Sequence, residues 1–149
     1  MKSTCMLAIM VVGAAALTAC SLIPGGSAGT GGRTLMIPLT GAAEGPGLGD
    51  PDGSGMAELL IDPVRGRFCY VLTVDGIAPA QLAHIHRSPV GEAGGPIVVH
   101  LEAPTDGESE DCMAIAPEVA RSLLQSPAAY YVNVHNADHP GGAVRGQLG

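Results

Sequence analysis

Two histidines separated by a single residue form the part of the sequence with the clearest potential for chemistry. The run Ala83-His84-Ile85-His86 has the alternation of a β-strand, and residues i and i+2 of a strand lie on one face, about 6.6 Å apart. Neutral imidazoles bind transition metals at about 2.0–2.1 Å. The two side chains can therefore converge on one ion, and we predict that His84 and His86 are metal ligands.

A third ligand is expected from a second strand near the C-terminus. Tyr131, Asn133 and His135 alternate on one face of that run, so His135 is the natural candidate. Asn133 is expected to support the site by hydrogen bonding, as outer polar groups commonly do around metals. His100 and His139 are weaker candidates. The alternative is that all these histidines are ordinary polar residues.

The ligand type predicts which ion binds and how binding responds to pH. Imidazole ligands and the general order of divalent-metal affinities favour copper, with zinc second. Only the neutral imidazole binds, so we expect binding to weaken as the pH falls through the ordinary histidine pKa near 6.5 and to be lost near pH 5. No Gly-rich phosphate loop and no nucleophile-elbow motif occurs in the sequence.

Short strands must position these side chains, because alternating patterns separated by turn residues dominate the chain. Helical spacing occurs in one segment, Pro117 to Gln125, which begins with a proline and ends before Ser-Pro. The acidic run from Glu108 to Asp111 is interpreted as a solvated loop. The pattern predicts an all-β sandwich or closed barrel with one short helix. The predicted strands are residues 35–39, 57–61, 67–74, 81–87, 96–101, 129–135 and 143–148.

The N-terminus has the pattern of an export signal. Lys2 precedes an apolar run, residues 6–17, which is too short to span a bilayer and typical of a signal peptide. The run ends in Leu17-Thr18-Ala19-Cys20, which resembles the bacterial lipobox and implies cleavage before a lipid-modified Cys20. Ser21, rather than Asp, resembles the default for export to the outer membrane of a Gram-negative cell; elsewhere the cell surface is expected. We predict a signal peptide (1–19), a flexible tether (20–33) and one domain (34–149).

Removal of the signal peptide changes both the charge and the cysteine count. The mature chain has no lysine, and its six arginines face fourteen Asp and Glu, a net charge of −8. This charge argues against nucleic acid and anionic lipid as partners, and the membrane is expected as a partner only through lipid on Cys20. Cys69 and Cys112 remain, and we predict that they form a disulfide in an oxidising compartment. Two free buried cysteines are the alternative.

Several blocks in order and spacing resemble the chordin-type (CHRD) domain over residues 34–148. The resemblance implies an extracytoplasmic β-sandwich of immunoglobulin-like or superoxide-dismutase-like Greek-key type. It also implies a non-enzymatic binding module, since in animals such domains repeat in chordin, an extracellular antagonist of a growth factor. The blocks are FCYVLTV (68–74), AHIHR (83–87), GGPIVV (94–99), YYVNVH (130–135) and PGGAVRGQL (140–148).

A looser similarity to copper/zinc superoxide dismutase suggests a rival function. In that enzyme an H-x-H strand and a later histidine bind copper, and an arginine near the C-terminus guides the anion; His84, His86, His135 and Arg145 are the parallels here. The sequence departs from that enzyme because no long zinc loop separates His86 from His135, and the cysteines are placed differently. A copper-dependent redox enzyme is therefore the first alternative, and a structural or protein-interaction module without metal is the second.

Overall fold

Eight antiparallel β-strands build the domain in the computed structural model, which describes residues 32–92 and 94–149. One α-helix, α1 (Pro117–Gln125), and two short 3₁₀ turns, Gly41–Glu44 and Pro127–Ala129, complete it. The predicted helix therefore forms, with Ala120 and Leu123 buried on its apolar stripe. The strands are β1 (Arg33–Thr40), β2 (Ser54–Asp62), β3 (Arg67–Asp75), β4 (Ala80–Arg87), β5 (Ile97–Leu101), β6 (Glu108–Ala114), β7 (Tyr130–Asn136) and β8 (Val144–Gln147).

The strands form one nearly closed sheet in the order β5-β4-β7-β8-β1-β2-β3-β6. The chain does not run from neighbour to neighbour, since β6 pairs with β3 and β7 pairs with β4. The sheet is open only between its two edge strands, where the hydroxyl of Tyr70 accepts a hydrogen bond from Glu102 N (2.7 Å) and Ser109 Oγ donates to Glu102 O (2.8 Å). The prediction of an all-β fold with a single short helix is confirmed, with one curved sheet providing the layers around the core.

Alternation along the strands fills the interior with aliphatic side chains. Ile37, Ala57 and Leu72 lie side by side on β1, β2 and β3 and are almost fully buried. Phe68 and Tyr70 continue this inner face along β3. Burying one large apolar side chain of this kind contributes about 1.5–3 kcal/mol, so the repeated pattern stabilises both the fold and its register.

The acidic run from Glu108 to Asp111 was wrongly interpreted as a loop, because it forms the first half of β6. The strand pairs with β3 over its whole length, from Thr73↔Glu108 to Arg67↔Ala114. Its residues are exposed or only partly buried. The strand therefore lacks the alternation of buried apolar and exposed polar residues that marks most strands. Charged residues are common on edge strands, where they discourage pairing with other chains.

The predicted disulfide is present and ties this edge strand to the sheet. Cys69 on β3 and Cys112 on β6 lie directly opposite each other. Their Cα atoms are 4.0 Å apart and the sulfur atoms are bonded at 2.06 Å.

Most of the predicted N-terminal features lie outside the described residues. These include the signal peptide, Cys20 and the tether up to residue 31. The first strand begins at Arg33, the last residue of the predicted tether. No helix in the described part of the chain is long and apolar enough to cross a membrane.

Reduction of the Cys69–Cys112 bridge should lower the melting temperature strongly. The two cysteines are 43 residues apart, and closing a loop of that length contributes about 4 kcal/mol in the chain-entropy model. We expect the melting temperature of the reduced protein to be lower than that of the oxidised protein by roughly 10 °C or more. The double substitution of both cysteines by Ala is the matched control and should melt like the reduced protein, with no response to reductant. Equal melting temperatures for the oxidised and reduced wild type would contradict this role.

Candidate metal centre

The three predicted ligands lie together on the outward face of β4 and β7. Ile85 and Val134 are completely buried in the core, so the alternation of the strands turns His84, His86 and His135 to the other side. β4 and β7 are hydrogen-bonded neighbours, with Leu82 opposite His135 and His84 opposite Asn133. Tertiary pairing therefore brings together histidines that lie 51 residues apart in the sequence.

A loop covers this outward face, which explains why polar side chains are buried there. Its described residues, 88–92 and 94–96, lie between β4 and β5, and three of their carbonyl oxygens accept hydrogen bonds from side chains on the face. The pairs are His86 Nδ1 to Gly95 O (2.8 Å), Arg145 Nη1 to Glu92 O (2.8 Å) and Gln147 Nε2 to Ser88 O (3.1 Å). The histidines consequently occupy a partly enclosed site.

The ligand atoms of His84, His86 and His135 all lie within 4.8 Å of one another. His84 Nδ1 lies 3.4 Å from His135 Nε2. An ion bound at 2.0–2.1 Å allows its ligand atoms to be up to about 4.2 Å apart. Small side-chain movements are therefore enough to close the three imidazoles around one ion.

Backbone carbonyls determine which ring nitrogen is available at two of the three ligands. His86 Nδ1 lies 2.8 Å from Gly95 O, and His135 Nδ1 lies 3.1 Å from Pro140 O. Because a carbonyl only accepts, each Nδ1 carries the proton and each Nε2 keeps its lone pair. Metal-binding histidines are usually oriented by such outer contacts. His86 Nε2 is also buried and has no hydrogen-bond partner in the described part of the protein.

Burial keeps two of the imidazoles neutral. Burial is the largest cause that lowers the pKa of His84 to about 4, and positive charge on His135, His86 and His100 contributes to the same shift. Burial also lowers the pKa of His135, although its contact with Pro140 O acts in the opposite direction. Protons therefore compete with a metal ion at these two imidazoles at a lower pH than they would at ordinary histidines.

An aromatic stack supports the site from one side. The Tyr131 ring lies on the His86 ring, with centroids 4.9 Å apart and planes within 6°. The Arg145 guanidinium lies 3.6 Å from the centre of Tyr131, a cation–π arrangement. Arg145 is only 4% exposed, and it also donates to Gln147 Oε1 at 3.1 Å. Its position is that of a support for Tyr131 and, through it, for His86.

The two weaker histidine candidates lie outside the three-residue group. His100 is exposed on β5, and its ring centroid is 5.1 Å from that of His84, so it borders the site. His139 lies in a turn after β7, where its Nε2 is 3.7 Å from Asp50 Oδ2 and its Nδ1 is 3.1 Å from Leu48 O.

One buried acidic residue beside Asn133 and Arg145 was not predicted from the sequence. Glu44 is 8% exposed and belongs to the turn Gly41–Glu44. Burial raises the pKa of its carboxyl to about 7, against the opposing influence of the Arg145 charge and of hydrogen bonding by Asn133. Its glycine-rich surroundings have no periodicity, so no local pattern indicated that Glu44 is buried. Asn133, predicted to support the site, is 2% exposed between His84 and Arg145 in the sheet.

Comparison with known proteins identifies one family. The family model described as the CHRD domain matches residues 35–148, a range that includes Glu44, the three histidines and Arg145. No match was found among curated proteins or among solved structures.

The lowered pKa of His84 predicts how the metal-free protein responds to acid. That pKa is about 4 in the folded protein and about 6.5 in an unfolded chain. Between these values the unfolded chain binds more protons, so this contribution to stability is complete above pH 6.5 and is lost as the pH falls towards 4. In urea unfolding at a series of pH values, His84→Gln should flatten the decrease in unfolding free energy over this range. Identical slopes for the variant and the wild type would show that His84 is not held neutral.

Proposed function

The chain belongs to the CHRD-domain family, and we propose that it is an extracytoplasmic binding module that holds one copper or zinc ion. His84 Nδ1, His86 Nε2 and His135 Nε2 would be the ligands. The observation that carries the proposal is the convergence of one ring nitrogen from each of the three histidines within 4.8 Å, with two ring orientations set by backbone carbonyls. Family membership supports the binding module, and the geometry supports the ion.

The donor set favours copper and zinc over hard cations. All three donors are imidazole nitrogens, whereas calcium and magnesium prefer oxygen ligands. Neutral imidazole is the binding form, and burial keeps the pKa values of His84 and His135 below the ordinary value. The site is thus ready to bind at neutral pH without first losing protons from these two residues.

A copper-dependent redox enzyme is the second candidate, because three protein ligands leave a coordination position for another molecule. A dismutase-like role would use Arg145 to attract an anion. In this protein the Arg145 side chain is 4% exposed and engaged with Glu92 O, Gln147 and the Tyr131 ring. This engagement favours a binding role over anion turnover.

We also propose that lipid on Cys20 anchors the domain to the membrane. The support is the sequence Leu17-Thr18-Ala19-Cys20 at the end of a short apolar run. Each buried acyl CH₂ contributes about 0.8 kcal/mol, and stable anchoring takes more than one chain, as a lipoprotein cysteine provides. The anchored domain would face the periplasm in a Gram-negative cell and the exterior in other cells.

Calorimetric titration tests the metal site directly. The metal-free protein should bind one equivalent of Cu(II) or Zn(II) at pH 7.5 and become more stable to heat, because the ion binds only the folded state. Replacing His84, His86 or His135 singly by Ala should weaken binding by more than about 100-fold, the upper end of what losing an outer partner costs. His139→Ala is the matched control and should bind like the wild type.

Equal binding by the wild type and by the variant lacking all three histidines would refute the site and leave an interaction module without metal. If copper binds, a superoxide assay separates the two remaining functions. Turnover that depends on Arg145 would support the enzyme. Turnover no faster than that of the metal-free protein would support the binding role.

Replacement of the predicted lipid-modified residue tests the anchor. Cys20→Ser should prevent acylation and leave a precursor that stays in the aqueous phase when cell extracts are partitioned into detergent. Ser21→Ala is the matched control next to it and should still enter the detergent phase. Full retention of Cys20→Ser in the detergent phase would contradict lipid anchoring at this residue.

A further inference from the structure

Three buried side-chain atoms lack a hydrogen-bond partner within residues 32–92 and 94–149, two of them on the outward face of the sheet and one in the turn Gly41–Glu44. They are His86 Nε2, Asn133 Oδ1 and Glu44 Oε1. Buried polar atoms are nearly always paired, and an exception calls for a reason such as an ion or a functional role. The metal proposed above would satisfy His86 Nε2. The two oxygen atoms need a separate explanation.

The Glu44 carboxylate packs closely against Gly142, and this contact requires a glycine. A Cβ atom placed on Gly142 would overlap the Glu44 carboxylate, and Gly142 has a positive φ of 139°, a backbone conformation that favours glycine. The segment that carries Glu44 is held over the same turn, because Asp50 N donates to Ala143 O at 2.8 Å. The carboxyl is therefore enclosed at a fixed place.

Asn133 and Gly142, the two residues beside the Glu44 carboxyl, are each connected to a proposed metal ligand. Asn133 lies directly opposite His84 across β7 and β4. Gly142 closes the turn after β7 by donating its N–H to His139 O at 3.1 Å. Pro140 O belongs to this turn and orients the His135 ring. Glu44 thus contacts the supports of two ligands on two different strands.

We propose that Glu44 is the positioning residue and the internal counter-charge of the metal centre. Its carboxylate holds Asn133 and the turn at Gly142 in place, and it balances the positive charge that this face gains when an ion binds. The inference rests on the proposed metal-binding function and assigns a role to a residue outside the ligand set.

The charges around Glu44 support this role. The positive charge of Arg145 on β8 and hydrogen bonding by Asn133 on β7 both lower the pKa of the Glu44 carboxyl, and the turn contributes the backbone of Gly142, with His139 at its start. With a pKa of about 7, the carboxyl is about half protonated in the metal-free protein at neutral pH. A nearby cation favours the ionised carboxylate, so binding of a divalent ion should release protons from Glu44.

Zn(II) titration by calorimetry in two buffers of different ionisation enthalpy measures this proton release. At pH 7 we expect Glu44→Gln to release about half a proton fewer per Zn(II) than the wild type. The difference should shrink towards zero at pH 9, where the wild-type carboxyl is already ionised. Zn(II) affinity should fall about tenfold at pH 8, within the range for outer partners.

Two further variants distinguish this role from a purely structural one. Glu58→Gln removes an equal charge at an exposed position on β2 and should leave proton release and affinity unchanged. Glu44→Asp keeps an ionisable carboxyl and should release protons on binding, as the wild type does, even if Glu44→Gln fails to fold. A structural role alone would lower the melting temperature of Glu44→Gln without changing its proton count.

The outcomes separate the two proposals. If the wild type binds Zn(II) and Glu44→Gln shows the same proton release and affinity, the role of Glu44 is overturned and the metal site stands. If Glu44→Gln does not fold and Glu44→Asp releases no more protons than the buffer-corrected ligands account for, the role is also overturned. If the wild type binds no Zn(II), the metal centre and this inference fall together.

Discussion

Packing of the aliphatic core through β4 and β7 is the constraint on which the candidate site depends. Ile85, Val132 and Val134 are completely buried, and each lies beside a residue that must then point outward. A shift of one residue in the register of either strand would turn its apolar side chains to the outside and its histidines into the core. The free energy of core burial therefore also positions the imidazoles. The same packing therefore determines both the stability of the domain and the positions of the three histidines.

The outward face is unusual because its polar groups are buried rather than exposed. Backbone carbonyls of the loop residues 88–92 and 94–96 accept hydrogen bonds from several of them. His86 Nε2, Asn133 Oδ1 and Glu44 Oε1 lack partners in the described residues. Burying such a group without a partner costs about 1–3 kcal/mol. The proposed ion would contact His86 Nε2, and the proposed role of Glu44 accounts for the burial of its carboxyl. The edge strand β6 and its disulfide to β3 stabilise the domain and contribute none of the three histidines.

Sequence reasoning succeeded where the information is local and periodic. Alternation placed His84 with His86, and Asn133 with His135, while helical spacing identified the helix Pro117–Gln125. It failed for β6, whose exposed acidic residues carry no apolar alternation. It also missed Glu44 and the carbonyls that orient the rings, because those contacts depend on loop conformations and on pairing between distant strands. The CHRD resemblance was confirmed over residues 35–148, and it concerns the family rather than the chemistry of the site.

The central claim is that three imidazole nitrogens of this face bind one ion. The most direct test is anomalous diffraction from crystals of the mature protein soaked in Zn(II), which locates the ion and its ligands together. The account predicts one fully occupied ion about 2.0–2.1 Å from His84 Nδ1, His86 Nε2 and His135 Nε2. An ion held elsewhere, or no ion at these nitrogens in crystals that remain ordered, would contradict it.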